Sequence, residues 1–269
     1  MTRRRALLAL LALGALGTGR PAWGESTRSL DAVVEASYAL PVERYGHWAL
    51  GRPHEYARLT ATTAGGRRLV FDLPEDEVFE DLAPRIVRLA AGEPESLLTI
   101  VSHRANGARL VLLRSRGDRL AIHAQGPPIG RPMRWLNPVG VADLDGDGRA
   151  EIAAVLTPHI GGTLTVYRQR GPDLVQVAAL WGFSNHVFGS PELALSAPAA
   201  IAGRMRLLVP DETRRRLRIM ALEDRHLVEV GACALPAPMD GALAPLGPER
   251  VSVGIAAGRE VLLLRDCLR

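Results

Sequence analysis

Carboxylates alternate with small or apolar residues over one short stretch of this chain, Val141–Ile152. Asp143, Asp145 and Asp147 take positions 1, 3 and 5 of a loop, a spacing that turns three side-chain oxygens toward one centre. Gly148 follows and permits the sharp turn that closes such a loop. Without a cation these carboxylates would repel one another, since unit charges about 4 Å apart interact by roughly 1 kcal/mol even in water. The stretch therefore predicts a loop that binds calcium.

The closing ligand and the flanks distinguish this loop from an EF-hand. An EF-hand places a bidentate Glu at position 12 between two helices, whereas position 12 here is Ala154 and β-like runs stand on both sides. Glu151 at position 9 and the backbone carbonyl of Arg149 at position 7 can instead complete an oxygen shell within nine residues. The flanking strands are then free to pair as a hairpin. An acidic surface turn without a metal is the alternative, because turns favour Asp and Gly.

The segment Asp143-Leu144-Asp145-Gly146-Asp147-Gly148, followed by Glu151, resembles the calcium loop of the FG-GAP/VCBS repeat family. Repeats of that family are blades of β-propellers such as the head of the integrin α chain. The resemblance covers one blade, residues 137–180, and has Glu151 where the family usually has Asp. It implies a calcium-binding blade in a module that presents its loops to protein or carbohydrate partners.

Short runs of alternating apolar residues, separated by turn formers, must position this loop. They fall into units of about four strands, the number in a propeller blade, at residues 55–82, 84–124, 137–180, 195–235 and 241–265. The last unit has room for three strands, and we expect an N-terminal strand at Val33–Leu40 to complete it. These units predict an all-β fold: a β-propeller of about five four-stranded antiparallel blades over residues 51–269, after a lead-in segment at 25–50. A β-sandwich or two smaller β domains are the alternatives.

Residues 1–24 have the three regions of a secretory signal peptide. Arg3-Arg4-Arg5 is a positive start, Ala6–Gly17 is an apolar run too short to span a bilayer, and Ala22-Trp23-Gly24 is a small-x-small cleavage site. We therefore expect a periplasmic or secreted protein without a membrane span in its mature chain. The twin-arginine route and the general route are both open, and an uncleaved anchor is the alternative.

The basic charge of the chain belongs to this signal segment. The sequence has 33 Lys and Arg against 29 Asp and Glu. Arg3, Arg4, Arg5 and Arg20 precede the cleavage site and no acidic residue does, so the mature chain carries no net charge. Because a nucleic-acid-binding domain keeps a basic excess, we expect no nucleic-acid partner. The expected partner is a protein or a carbohydrate, bound by a monomer.

Two cysteines, Cys233 and Cys267, have neither CxxC nor metal-ligand spacing. In an exported protein they are candidates for a disulfide that ties the C-terminal strand to the strand ending at Cys233. Two unpaired buried thiols are the alternative.

Loop histidines of the calcium unit are candidates for a second site. His159 follows its second strand, and His186, with Asn185, follows its fourth. Together these side chains could form a polar pocket for a ligand or partner. The simpler interpretation is that they satisfy backbone groups in their own loops, and the sequence offers no third ligand for a zinc site. The acidic run Glu75–Asp81 is interpreted as a solvated loop.

The predicted function is an exported calcium-binding scaffold or binding module in which the calcium is structural. The alternative is a periplasmic hydrolase or lyase that uses His159 or His186 as acid or base in an axial pocket. A deep pocket with convergent polar groups would favour catalysis, whereas an exposed apolar patch would favour binding. Trp135 and Trp181 bracket the calcium unit and are expected to pack at its edges, because a sugar-binding platform needs exposed rings.

Overall fold

A computed structural model describes residues 29–269, and the regular structure in that range is almost entirely β-strand. The predicted signal peptide lies outside the described residues. One short 3-10 helix, Leu264–Cys267, ends the fold, and no helix between residues 29 and 269 is long and apolar enough to cross a membrane. The strands are β1 Val33–Pro41, β2 Tyr56–Thr63, β3 Arg68–Asp72, β4 Glu77–Phe79, β5 Arg85–Val87, β6 Ser96–His103, β7 Gly107–Arg116, β8 Arg119–Gln125, β9 Leu136–Ala142, β10 Glu151–Leu156, β11 Gly162–Arg170, β12 Asp173–Phe183, β13 Ala197–Ile201, β14 Arg204–Pro210, β15 Arg216–Glu223, β16 His226–Ala234, β17 Met239–Gly247, β18 Arg250–Ile255 and β19 Gly258–Leu263.

Strands that follow one another in the chain pair antiparallel in most of the fold, so the predicted all-β antiparallel architecture is confirmed. The meanders are β5–β8, β9–β12, β13–β16 and the three-stranded β17–β19. β4 and β5 share one edge of β6, which joins the β5–β8 meander to the strands before it. A single parallel pair, Asp173 with Gln125, links β12 to β8.

The N-terminal strand lies in the first unit, which corrects the expectation that it completes the last one. β1 pairs with β2, from Val33 opposite Thr63 to Pro41 opposite Tyr56. Its inward side chains are covered there, because the Tyr38 ring stacks on Phe79 with centroids 4.9 Å apart. The segment 25–50 is therefore part of the first sheet, as far as it is described, and not a separate lead-in.

Neighbouring units pack face to face through four apolar clusters, and most strands contribute to two of them. In β10, Ile152 and Ala154 face the β5–β8 unit, whereas Ala153 and Val155 face the β13–β16 unit. The period of two along a strand sends successive side chains to opposite faces. Because both faces are buried, the central strands carry almost continuous apolar runs.

The two outermost sheet faces are polar, which corrects the predicted closed ring. On the first sheet Ser37 and Thr60 share a hydrogen bond of 3.1 Å, and on the last sheet Arg259 donates to Ser252. No apolar cluster joins these faces, and the strand pairing within residues 29–269 closes neither a barrel nor a propeller. Terminal units of stacked repeats commonly have a polar outer face because nothing covers it.

The first strand of the β9–β12 unit lies against the first strand of the next unit. β9 contacts β13 and β14, while β12 contacts β8 and β16 on the opposite side of the stack. Gly140 permits the close approach: a Cβ there would stand 2.5 Å from Cδ of Pro198. This order places the loops that precede β9 and β13 beside one another.

The C-terminus is fastened by the predicted disulfide. Cys233 in β16 is bonded to Cys267, with their Cα atoms 5.0 Å apart, so the alternative of two free thiols is excluded. An isolated bridge between Gly231 and Leu268 adds backbone pairing at the same place.

Candidate functional site

The acidic loop connects β9 to β10 as a hairpin, as its sequence predicts. Ala142 pairs with Glu151 at its base. Gly146 and Gly148 adopt left-handed conformations, with φ of 81° and 86°, which side chains disfavour. Carboxylate oxygens of Asp143, Asp145 and Glu151 lie within 4.8 Å of one another, so the loop brings three of the predicted ligands to one centre.

Backbone amides within the loop hold its aspartates in place. Asp143 accepts hydrogen bonds from the amides of Gly146 and Gly148, at 2.8 and 2.9 Å. Asp145 accepts one from Asp147, and Asp147 accepts one from Arg149. Each carboxylate therefore orders the turn that follows it.

Glu151 is the innermost carboxylate of the loop and is fully buried. Its Oε2 accepts the amide of Leu144 at 2.9 Å, and its Oε1 accepts the guanidinium of Arg168. Burial raises the pKa of this carboxyl, and the hydrogen bonds from Leu144 and Arg168 oppose that shift. A buried carboxylate needs such partners, because an uncompensated buried charge is strongly unfavourable.

Arg168 on β11 is the cation that sequence reasoning missed. Its Nη2 lies 2.5 Å from Oδ2 of Asp145, and its Nη1 lies 3.2 Å from Oδ2 of Asp147. Hydrogen bonding to Asp145 is the largest cause of the raised pKa of the guanidinium. The signal that could have found it is hairpin register: Ile152 pairs with Tyr167, so the next position along β11 stands opposite Glu151.

The donor set of the loop fits calcium, which takes six to eight oxygen ligands. Asp143, Asp145, Asp147 and Glu151 offer carboxylate oxygens, and Arg149 offers its carbonyl, with no nitrogen or sulfur ligand among them. Asp147 lies outside the tight triad but on the same turn. Arg168 binds three of the same carboxylates, so a bound metal ion and this guanidinium share one set of negative charges.

The acidic loop also fastens the β9–β12 unit to the preceding one. Arg149 forms an isolated bridge with Ala90, and the amide of Ala150 donates to Leu89 at 2.7 Å. The guanidinium of Arg149 lies 2.9 Å from Glu93, whose pKa is lowered by hydrogen bonds, first from Arg114 and then from Arg149. The loop therefore contributes to the contact between the two units.

The structure brings His159 and His186 together. Nε2 of His159 lies 2.7 Å from Nδ1 of His186, and Nε2 of His186 lies 2.9 Å from the carbonyl oxygen of Ser190. A carbonyl only accepts, so His186 donates from Nε2 and accepts from His159 at Nδ1. His159 therefore keeps an unprotonated Nδ1.

Both rings are neutral at neutral pH. Burial lowers the pKa of His159 to about 3 and that of His186 to about 4, and in each case neighbouring positive groups add to the effect. Neither ring can serve as a general acid near pH 7. His186 is fully buried and has both nitrogens engaged, so only His159 can present a lone pair.

Asn185 takes no part in this pair. Its amide nitrogen donates to the carbonyl of Asn137 at 3.2 Å and to the hydroxyl of Ser196 at 2.9 Å. Asn137 donates back to the carbonyl of Asn185. The side chain predicted as a binding group thus ties the loop after β12 to β9.

A third histidine, His47, reaches the same region from the loop between β1 and β2. Its Nδ1 lies 2.8 Å from Oε1 of Glu80, and Oε2 of Glu80 accepts the hydroxyl of Ser102 at 2.6 Å. Glu80 and Asp81 are buried, so the C-terminal end of the acidic run is not solvated as predicted. Sequence reasoning missed His47 because more than a hundred residues separate it from His159.

A cavity of about 120 Å³ lies between these rings; its lining residues are His47, Met133, Arg134, Trp135, Thr157, His159, Ile160 and Phe188. Trp135 is buried, as predicted, with its ring parallel to His159 and centroids 5.9 Å apart. Its Nε1 donates to the carbonyl of Glu80 at 2.9 Å.

Two of the cavity's apolar lining side chains are exposed, Ile160 by 62% and Phe188 by 56%. Trp181 is 62% exposed and lies against Gly161, the residue after Ile160, since a Cβ at Gly161 would stand 3.1 Å from its Nε1. Trp181 is therefore not the packing residue that the sequence suggests. We call Ile160, Trp181 and Phe188 the apolar patch.

No family model matches this chain, and no curated protein matches it either. The loop and the cavity lie at opposite ends of β10, because the loop precedes Glu151 and His159 follows Leu156.

Proposed function

We propose that this chain is an exported calcium-binding module of the FG-GAP/VCBS type that binds a protein or carbohydrate partner through its loops. The observation that carries the binding role is the apolar patch. Monomeric proteins rarely expose neighbouring large apolar side chains without a function for them. The loop of Asp143–Glu151 carries the calcium role.

The five stacked units fit an open series of propeller-like blades and not a closed ring. In each complete meander the first strand lies next to the first strand of the neighbouring unit, as β9 lies beside β13. The fourth strand lies on the opposite side, as β12 does beside β16. Blades of a propeller have this order. The polar outer faces of the first and last sheets fit an open arc.

Calcium has a structural role in this proposal. The loop is a hairpin that fastens the β9–β12 unit to the β5–β8 unit through Arg149 and Ala150. It lies at the opposite end of β10 from the apolar patch, so the ion would not touch a partner bound there. Ion binding would stabilise the arrangement of sheets that presents the patch.

The patch has the composition of a recognition surface. Trp and Phe are enriched at protein interfaces, and an exposed indole ring can stack on a sugar ring. Trp181 lies on β12 and Phe188 lies on the loop after it, so both are anchored by strands or by neighbouring rings.

A hydrolase or lyase has less support. The cavity of about 120 Å³ is smaller than the roughly 300–1,000 Å³ of most small-molecule sites. His159 and His186 are neutral at neutral pH, and His186 has no free nitrogen. His47 with Glu80 is the second titratable group that the alternative requires, but a pKa of about 3 makes His159 a weak base at neutral pH.

Binding can be tested in two ways. The labelled protein is applied to an array of immobilised bacterial glycans, and it is crosslinked to protein partners in a periplasmic extract. We expect a ligand that the wild type binds and that a Trp181→Ser/Phe188→Ser variant loses. Val261→Ser is the matched control, because Val261 is 49% exposed on the last sheet, away from the patch. Equal capture by all three proteins would contradict the proposed surface.

A further inference from the structure

We propose that the partner is a protein with an acidic segment, which inserts one large apolar side chain into the histidine cavity and binds Arg134 through a neighbouring carboxylate. The histidine cavity is the space of about 120 Å³ whose lining includes His47, Trp135 and His159. This assignment rests on the binding role proposed above, and it selects a protein over a carbohydrate.

The histidine cavity has the size of one side chain. An apolar cavity of about 150 Å³ holds a single benzene molecule, so a space of about 120 Å³ accepts a side chain such as that of Leu or Met. Most small-molecule sites are larger, at roughly 300–1,000 Å³. One apolar side chain that fills a pocket of this kind often contributes much of the affinity of a protein interface.

Apolar and aromatic groups form much of the lining, which includes Met133, Trp135, Ile160 and Phe188. Three of these side chains reach the surface, since Met133 is 40% exposed, Ile160 62% and Phe188 56%. The lining is therefore continuous with the apolar patch. A sugar ring in this space would bury hydroxyl groups against apolar side chains, which is unfavourable unless each hydroxyl finds a hydrogen-bond partner.

Contacts between separate segments of the chain hold the lining in place. The hydroxyl of Tyr45 accepts the amide of Met133 at 3.0 Å. The ring of Phe188 contacts His47 and His159 edge-on, with centroid distances of 5.8 and 5.2 Å. A pocket that is already ordered lowers the entropic cost of association.

Arg134 places a positive charge in the lining. Its Nη1 donates to the carbonyl of Met133 at 2.8 Å, and among residues 29–269 no carboxylate lies within ion-pair distance of its guanidinium. Glu80, the carboxylate bonded to His47, is buried and also accepts the hydroxyl of Ser102. A carboxylate of the partner can therefore bind Arg134 without displacing an internal ion pair, and charge complementarity of this kind favours an acidic partner.

The test is selection of a phage-displayed library of random peptides on immobilised mature protein in the presence of calcium. We expect the enriched sequences to share a large apolar residue beside Asp or Glu. In a synthetic peptide of that sequence, replacing the apolar residue by Ala should weaken binding by about thirtyfold. Arg134→Gln should weaken it by about tenfold. Arg170→Gln is the matched control, because Arg170 is exposed at the end of β11.

Two further readouts test the placement of the peptide. In the wild-type complex, which needs no variant, the methyl group of Met133 should show a nuclear Overhauser contact to the inserted side chain. Selection on Arg134→Glu should favour Lys or Arg beside the apolar residue. Enriched peptides without acidic residues, or a bound peptide without the contact to Met133, would overturn the assignment.

Failure of this assignment can be distinguished from failure of the proposed function. An absence of enriched peptides would overturn the acidic protein partner, and glycan binding that depends on Trp181 and Phe188 would then leave the binding role intact. Peptide binding that the Trp181→Ser/Phe188→Ser variant retains in full would instead contradict the apolar patch as the binding surface.

Discussion

Arg168 places its guanidinium against the buried carboxylate of Glu151, with Nε 3.0 Å and Nη2 2.5 Å from the same Oε1 atom. The same guanidinium also binds Asp145. One internal cation thus neutralises part of the charge that would otherwise hold the loop apart. Calcium would therefore compete with this guanidinium for the same carboxylates, and its effect on stability is the difference between the loop with the ion and the loop with Arg168 alone.

Calcium should stabilise the fold, and EDTA should remove that stabilisation. Binding to the folded state alone contributes about 2.7 kcal/mol when free ion is a hundredfold above the dissociation constant. For a chain of this size that corresponds to a rise in melting temperature of roughly 5–10 °C. Asp145→Ala should abolish the response, whereas Asp118→Ala, in the turn before β8, should keep it. An EDTA-insensitive wild-type melt would argue against the site.

The Arg168→Gln variant should distinguish the effect of the guanidinium from the effect of calcium. Without calcium the variant should be less stable by about 3 kcal/mol, because Glu151 is left buried without its charged partner. Its calcium affinity should rise by about tenfold, since a competing cation is gone. Arg170→Gln, further along β11, is the control. Chemical denaturation and calcium titration measure both effects, and an affinity that falls in Arg168→Gln would mean that the guanidinium supports the ion.

The buried histidine pair should make the protein sensitive to acid. The folded pKa values of His159 and His186, about 3 and about 4, lie below the ordinary value of 6.5. Between the folded pKa values and pH 6.5 the unfolded chain therefore binds more protons than the folded chain. The contribution of the neutral pair to the free energy of unfolding is fully present above pH 6.5 and is lost as the pH falls. Each histidine contributes a slope of about 1.4 kcal/mol per pH unit.

Urea unfolding between pH 7.5 and pH 5 measures this slope. His186→Asn should flatten it, whereas His226→Asn should leave it unchanged because His226 is exposed. A wild-type stability that is constant over this range would contradict the neutral, buried state of the pair.

Reduction of the disulfide should weaken the C-terminal end of the fold. The bond between Cys233 and Cys267 closes a loop with a sequence separation of 34, for which chain entropy predicts about 3–4 kcal/mol. Dithiothreitol should lower the melting temperature of the wild type but not that of a Cys233→Ser/Cys267→Ser variant. A free-thiol assay that finds both cysteines reactive in the untreated protein would exclude the bond.

Local patterns were sufficient to predict the all-β units, the hairpin loop and the disulfide. The alternation of Asp143, Asp145 and Asp147 predicted the loop, because its geometry depends on neighbours in sequence. The partner of β1 could not be predicted in this way. Its apolar face suits any uncovered sheet, and only the tertiary packing of Tyr38 on Phe79 selects β2.

Long-range contacts also determine which residues line the histidine cavity. His159 and His186 were recognisable as loop residues of one unit, but His47 reaches them from the first unit. Trp135 and Trp181 have similar positions in sequence, yet one is buried against His159 and the other is exposed. Neither difference follows from periodicity, since both depend on how separate sheets stack.

Calorimetric titration of metal-free protein with calcium tests the central claim most directly. We expect saturable binding of one ion per chain in the wild type and its loss in Asp145→Asn, with the folded state of both proteins checked by circular dichroism. Absence of binding by a folded wild-type protein at millimolar calcium, or equal binding by Asp145→Asn, would contradict the assignment of Asp143–Glu151 as a calcium loop.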